Sequence, residues 1–361
     1  MANANLVPYD LRVTSGDLLT NPRAPPKIMD PVVLFFLLGV VAKLAKSDLK
    51  LPEALYETLS IYLLLAIGLK GGVELAKHPI LTIAPQAFAA IAMGATLPLL
   101  AYPVLRFVGK LSNVDSAAIA AHYGSVSVVT FAVGLAFVLK RGVAYEEYMP
   151  LFVALMEVPG IVVGIVLARM MAKRELSDSP GDIRLGGSTE TRSGGSNGTR
   201  WRMLAHEIFL GKSVVLLVGG LLIGWFAGPQ GIDPMRGLFF DLFKGVLALF
   251  LLEMGLVAAG RVADLKRAGP FLIVFGVAAP MVFSVIGAAV GYAIGLSLGG
   301  TTLLAILAAS ASYIAAPAAL RIALPEANPS LSIGVALGIT FPFNLTLGIP
   351  LYFEIAKRLH S

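Results

Sequence analysis

The chain has 361 residues, 57% of them hydrophobic and only 14% charged, with a formal net charge of +6 and a mean hydropathy of +0.82. Those values exclude an ordinary water-soluble domain, in which about a quarter of residues would be charged. The lack of cysteine excludes disulfides, thiolate catalysis and Cys-ligated zinc or iron–sulfur centres, and the scatter of basic residues through the connections leaves no nucleic-acid footprint.

Residues 1–27 are polar and broken by Pro8, Pro22, Pro25 and Pro26, and the first apolar run begins at Pro31 without a small-residue cleavage motif behind it. Residues 1–30 are therefore expected to form a tail rather than a cleaved signal. Ten apolar segments follow, at 31–45, 54–70, 79–105, 115–139, 146–170, 203–227, 237–260, 268–296, 299–319 and 329–356. Crossing a bilayer takes about 20 apolar residues, and lipid forces the backbone to satisfy its own hydrogen bonds, so helices are expected. The weaker alternating pattern of a transmembrane β-barrel is absent. Pro31 and Pro52 stand where helices should start, and Lys43 and Lys46 end the short first segment as snorkelling cations.

Residues 172–202 differ from everything around them. Ser179-Pro180-Gly181, Gly186-Gly187, Gly194-Gly195 and many charges mark a solvent-exposed linker. It separates residues 31–171 from residues 203–361, with five apolar segments on each side. An odd number makes the second half enter from the opposite face, so any repeat is an inverted one. The expected fold is all-α, with about ten transmembrane helices in two inverted five-helix repeats. Weak internal matches run in the same order through both halves: Ile67-Gly68-Leu69 with Met254-Gly255-Leu256, Ala120-Ala121 with Ala308-Ala309, and Val153-Ala154-Leu155 with Val335-Ala336-Leu337. Lys and Arg are more frequent in one set of connections, which places the linker in the cytoplasm and both termini outside.

The fourth and ninth segments carry the chemistry. One reads His122-Tyr123-Gly124-Ser125-Val126-Ser127-Val128-Val129-Thr130, the other Ala308-Ala309-Ser310-Ala311-Ser312-Tyr313-Ile314-Ala315-Ala316-Pro317. Small residues and hydroxyls at these positions fit either close helix packing or helices that break at mid-membrane and aim free N–H groups at a small anion. His122 fits a proton relay or a hydrogen bond between helices. Glu157, two residues before Pro159, fits a structural pair or a cation or proton site, because a carboxylate in lipid is costly unless paired, protonated or hydrated. Thr130, Thr340 and Asn344 offer neutral oxygens to a Na⁺ ion. Glu253 has Lys212 and Lys244 as candidate partners. No Walker loop or dinucleotide motif occurs, and the isolated His122 and Glu157 do not make a catalytic set, so no enzyme is expected. A membrane sensor or scaffold using the linker is the non-transporting alternative.

From Ala308 to Ser330, with Leu155-Met156-Glu157-Val158-Pro159 and the Gly124-Ser125-Val126-Ser127 stretch, the chain resembles the sodium-dependent bicarbonate permeases of cyanobacteria and their proteobacterial relatives. The resemblance covers residues 31–72 and 115–355. It implies a homotrimer in the inner membrane, with a mobile core domain and a gate domain, importing HCO₃⁻ with Na⁺. The substrate residues it implies are Gly124, Ser125, Val126, Ser127, Ser310, Ala311, Ser312 and Tyr313. A PII-like regulatory protein is the implied partner. Two departures stand out: cyanobacterial members have an aspartate where this chain has Tyr313, and a Gly-Ser pair where it has Val128-Val129. Another small anion, such as a carboxylate, is therefore the alternative substrate.

Overall fold

The computed structural model describes residues 31–77, 80–177, 210, 212–260 and 262–361. The tail 1–30 and residues 178–202 of the expected linker lie outside them. Among the described residues all regular structure is helical. In chain order come α1 (Pro31–Leu44), α2 (Glu53–Leu75), α3 (Ile80–Pro103), α4 (Asn113–Gly124), α5 (Val128–Lys140) and α6 (Met149–Ser177). Then follow α7 (Lys212–Ile232), α8 (Phe243–Gly260), α9 (Val262–Ala293), α10 (Leu298–Ala309), α11 (Ala315–Ala323), α12 (Pro329–Val335) and α13 (Ile349–His360). The last two are joined through π-helical turns at Ala336–Thr340 and Asn344–Gly348 that flank Phe341–Phe343. The helix α6 runs to Ser177, six residues into the segment read as linker.

Among the described residues, eight helical stretches are long and apolar enough to cross a membrane, one of them spanning α4 and α5 together, while α1 and α10 are shorter apolar helices. This is an all-α, multi-pass membrane fold. Gly269, at φ 75° and followed by Pro270, kinks α9 just where its apolar stretch begins.

The helices pack in two groups. In one, α2 lies along α7 and α1 along α8. In the other, α3, α4 and α6 pack together, as do α9, α10 and α13. Glycine sets the first group. A Cβ on Gly39 would collide with the backbone of Leu252, Gly255 and Leu256, and one on Gly68 with that of Leu217, Gly220 and Leu221. The reciprocal contacts are the same: Gly255 sits on Phe36, Gly39 and Val40, and Gly220 on Leu65, Gly68 and Leu69. In all four cases the neighbours are the facing glycine, the carbonyl three residues before it and the N–H one residue after it. Only hydrogen in place of a side chain lets two helix backbones approach so closely.

Carboxylates tie the second group together at its ends. Glu146, in the turn after α5, accepts hydrogen bonds from the Ser297 N–H (2.7 Å) and Oγ (3.1 Å) at the start of α10. Asp115, in the first turn of α4, accepts from the Asn328 N–H (2.8 Å) in the turn after α11.

Candidate solute site

Both small, hydroxyl-rich segments break. The helix α4 stops at Gly124, and Ser125, at φ −89° and ψ 156°, is extended. The helix α10 stops at Ala309, and Ser310, at φ −83° and ψ 164°, is extended as well. Each is a twelve-residue helix with a serine N-cap: Ser112 Oγ accepts from the Asp115 N–H and Ser297 Oγ from that of Gly300. After the first break Ser127 caps α5, accepting from the Thr130 N–H, and after the second Ser312 Oγ accepts from the Ala316 N–H at 3.2 Å. The first N–H groups of α5, those of Val128 and Val129, have no intrahelical acceptor, so the helix starts with positive potential directed into the break.

The two breaks are stitched to one another. Ser127 N–H donates to Ser310 Oγ at 2.9 Å, and Ser310 Oγ donates to the Leu307 carbonyl at 2.8 Å. Ser312 N–H donates to the His122 carbonyl at 2.8 Å. His122 Nδ1 and the Ser312 carbonyl are 2.5 Å apart. A carbonyl only accepts, so the proton is on Nδ1 and His122 fixes the crossing of the two chain segments. Gly160 of α6 supports the first break: a Cβ there would meet Gly124 and the Ser125 nitrogen.

A cavity of about 20 Å³ lies at the crossing, room for one water-sized occupant. Its walls from the second helix group include Val126, Ser127, Glu157, Ser312 and Tyr313. Val128 and Val129 add an apolar wall. The opposite side is made by Ser60, Leu63 and Leu64 of α2 and Phe250 of α8. The Glu157 Oε2 and the Tyr313 hydroxyl are buried without a hydrogen-bond partner.

The other expected site residues stand behind this cavity rather than in its wall. Gly124 packs against the Pro98 ring, and the Ser125 hydroxyl is buried and unpartnered. Ala311 and Thr130 are also buried. Thr340 Oγ1 donates to the Gly276 carbonyl (2.7 Å) and meets the Tyr123 hydroxyl (2.5 Å). Asn344 Nδ2 donates to the Ala309 carbonyl at the end of α10 (2.9 Å), while its Oδ1 accepts from the Tyr352 hydroxyl (2.6 Å). Both hold helices together. Lys212 pairs with Glu57 at 3.5 Å, and Glu253 instead accepts from the Leu51 N–H in the field of Lys43. Sequence reasoning missed Ser60 and Phe250; Ser60 is one of several hydroxyls in the first half of α2, with Tyr56, Thr58 and Tyr62, and nothing local singles it out.

Residues 31–357 match the model of the Na⁺-dependent bicarbonate transporter superfamily. The chain belongs to that superfamily. At the level of the family it is a Na⁺-coupled transporter of bicarbonate or a similar anion, not an enzyme, in a bacterial-type inner membrane. None of the curated proteins matches the sequence.

Proposed function

We propose that the chain imports a small anion, bicarbonate first, by carrying it with the crossed breaks of α4–α5 and α10–α11 past a stationary gate made of α1, α2, α7 and α8. The observation that carries this is the position of the cavity: one wall is the paired Ser-X-Ser breaks, the other is the glycine-packed helices. Backbone N–H groups and the hydroxyls of Ser127 and Ser312 face the anion, with Ser125 and Ser310 behind them. The field comes from helix starts rather than from a buried arginine, which suits a monovalent anion that must also be released.

Ten spans in two inverted repeats support this motion. The glycine contacts favour such a repeat, because exchanging α1 with α7 and α2 with α8 turns the Gly39–Gly255 pair into the Gly220–Gly68 pair. The matched α4 and α10 breaks favour it as well. In this topology both termini are outside and residues 172–202 are cytoplasmic. A homotrimer and a PII-like regulator on the cytoplasmic side complete the proposal and rest on the resemblance.

The test is uptake of labelled HCO₃⁻ by proteoliposomes with and without an inward Na⁺ gradient, alongside a panel of small carboxylates. Na⁺-driven uptake of HCO₃⁻ is the expected result. Uptake of a carboxylate alone would keep the machine and replace the substrate, and no uptake of any anion would overturn the proposal.

A further inference from the structure

Glu157 is 2% exposed, and its Oε2 has no hydrogen-bond partner. It lines a space with room for about one water, together with Ser127, Ser312 and Tyr313. A bare carboxylate in such a place is costly, and a packing role would have been served better by an apolar side chain. We propose that Glu157 is the principal ligand of the co-transported Na⁺, completed by the oxygens of Ser127, Ser312 and Tyr313, so that the cation and the anion share one cavity. This rests on the anion-transport function proposed above.

The donor set fits a hard cation, which prefers oxygen. The carboxylate supplies charge, and the buried Tyr313 hydroxyl, beside Ser127, supplies a further oxygen at the same cavity. Ser127 Oγ and Ser312 Oγ each accept one N–H bond, from Thr130 and Ala316 respectively. Each keeps a lone pair for the cation and a proton to donate to the anion. Size agrees as well: a single small ion fits the cavity, whereas a four-heavy-atom anion requires the breaks to draw away from Ser60, Leu63 and Phe250.

Coupling follows from charge. An ionised Glu157 repels an anion from the same cavity, and Na⁺ on Glu157 cancels that repulsion and lets the anion in. Thr340 and Asn344, with their polar groups already bonded to neighbouring helices, then hold the frame of the site.

The experiment compares wild type, Glu157→Gln and Glu157→Asp, full length, in two assays. The first follows thermal unfolding in detergent with NaCl against choline chloride. Na⁺ should raise the wild-type Tm, leave that of Glu157→Gln unmoved, and act on Glu157→Asp at several-fold higher concentration. The second measures the Na⁺ dependence of HCO₃⁻ uptake in proteoliposomes: the half-saturating Na⁺ concentration should rise at least tenfold in Glu157→Gln. A Glu157→Gln protein with wild-type Na⁺ response in both assays overturns the assignment. So does a wild type driven by a proton gradient in place of Na⁺, with the drive lost in Glu157→Gln. If the wild type moves no anion, the transport function fails, yet the unfolding assay still decides the cation site. Should Glu157→Gln not fold, the Glu157→Asp shift decides.

Discussion

The two broken helices begin alike and end differently. Up to the break, α4 and α10 share length, cap and the extended serine. Beyond it, α5 is a thirteen-residue apolar helix whose residues Val128–Ala136 are all buried. Its counterpart α11 has nine residues, an exposed Arg321 and Pro317 near its start. The second break is also longer, adding Tyr313 and Ile314 after its second serine. The first half thus supplies a rigid arm sunk in the core. The second supplies a cavity-lining side chain, Tyr313, and a short helix bordered by turns. Where two halves share a scaffold, the longer break is where a change of side chain can alter ligand chemistry without repacking a helix.

The largest effect should come from removing the support of the first break. Gly160→Ala puts a methyl group against the Gly124–Ser125 backbone, which cannot rotate away. Overpacking of this kind costs about 1–3 kcal/mol, and the backbone contact places it at the upper end. A fall in Tm of the purified protein measures it, and an unchanged Tm would mean the first arm is not rigid. Next come the serines. Ser127→Ala and Ser312→Ala each remove a hydroxyl facing the cavity; a hydrogen bond to a charged group contributes about 1.5–3 kcal/mol, so anion uptake by the folded protein should fall roughly 10- to 100-fold, alongside a modest fall in Tm from the lost bonds to the Thr130 and Ala316 N–H groups. Equal uptake by both variants and wild type would remove the breaks from the site.

The end contacts sharpen the comparison further. Glu146→Gln weakens a two-fold contact at the α10 start, where a helix dipole also favours the charge. We expect a loss of about 1 kcal/mol, and a similar one for Asp115→Asn, which accepts from the Asn328 N–H and Ser112 Oγ in the first turn of α4. Chemical denaturation measures both, and no loss in either variant would mean that these end contacts do not hold the second group together. The smallest effect concerns Glu147, in the turn after α5. Its hydrogen bond with Glu74 is the main cause holding its carboxyl above the usual carboxylate range. A raised acid contributes its stability below its unfolded value of 4.5 and loses it as pH rises through the higher folded value. Because the side chain is half exposed, the slope should be slight. Glu147→Gln should flatten the fall of Tm above that pH.

Much of this was legible in the sequence, and for physical reasons. Long apolar runs point to spanning helices, and Ser-X-Ser beside glycine or proline marked both segments as unusual, though close helix packing and a break fitted them equally well. Glu157 was conspicuous because a carboxylate in an apolar run needs a cause. What stayed hidden depended on partners far along the chain. Thr340 and Asn344 looked like free oxygens, but Tyr123, Gly276, Ala309 and Tyr352 take up their polar groups. Nothing local marks Glu146 as the partner of Ser297, and Ser60 became a wall residue only when α2 was seen opposite Ser312. Gly68 and Gly255 matched in sequence, but their contacts with Gly220 and Gly39 required the pairing of helices.

Those four glycines have a consequence for how the gene can drift. Any missense change at a glycine codon introduces at least a Cβ, and at positions 39, 68 and 255 that atom lands on another helix's main chain, while at 220 it presses tightly against one. Neighbouring lipid-facing positions such as Leu38 and Leu222, 54% and 42% exposed, accept many apolar replacements. In a saturation library selected for membrane expression, Gly39, Gly68 and Gly255 should therefore stand out as positions of near-total intolerance, joined by Gly72 and Gly224, whose Cβ would meet the Leu221 and Leu69 carbonyls, with Gly220 somewhat more tolerant. Their spacing would allow the helix pairing to be read from genetics alone.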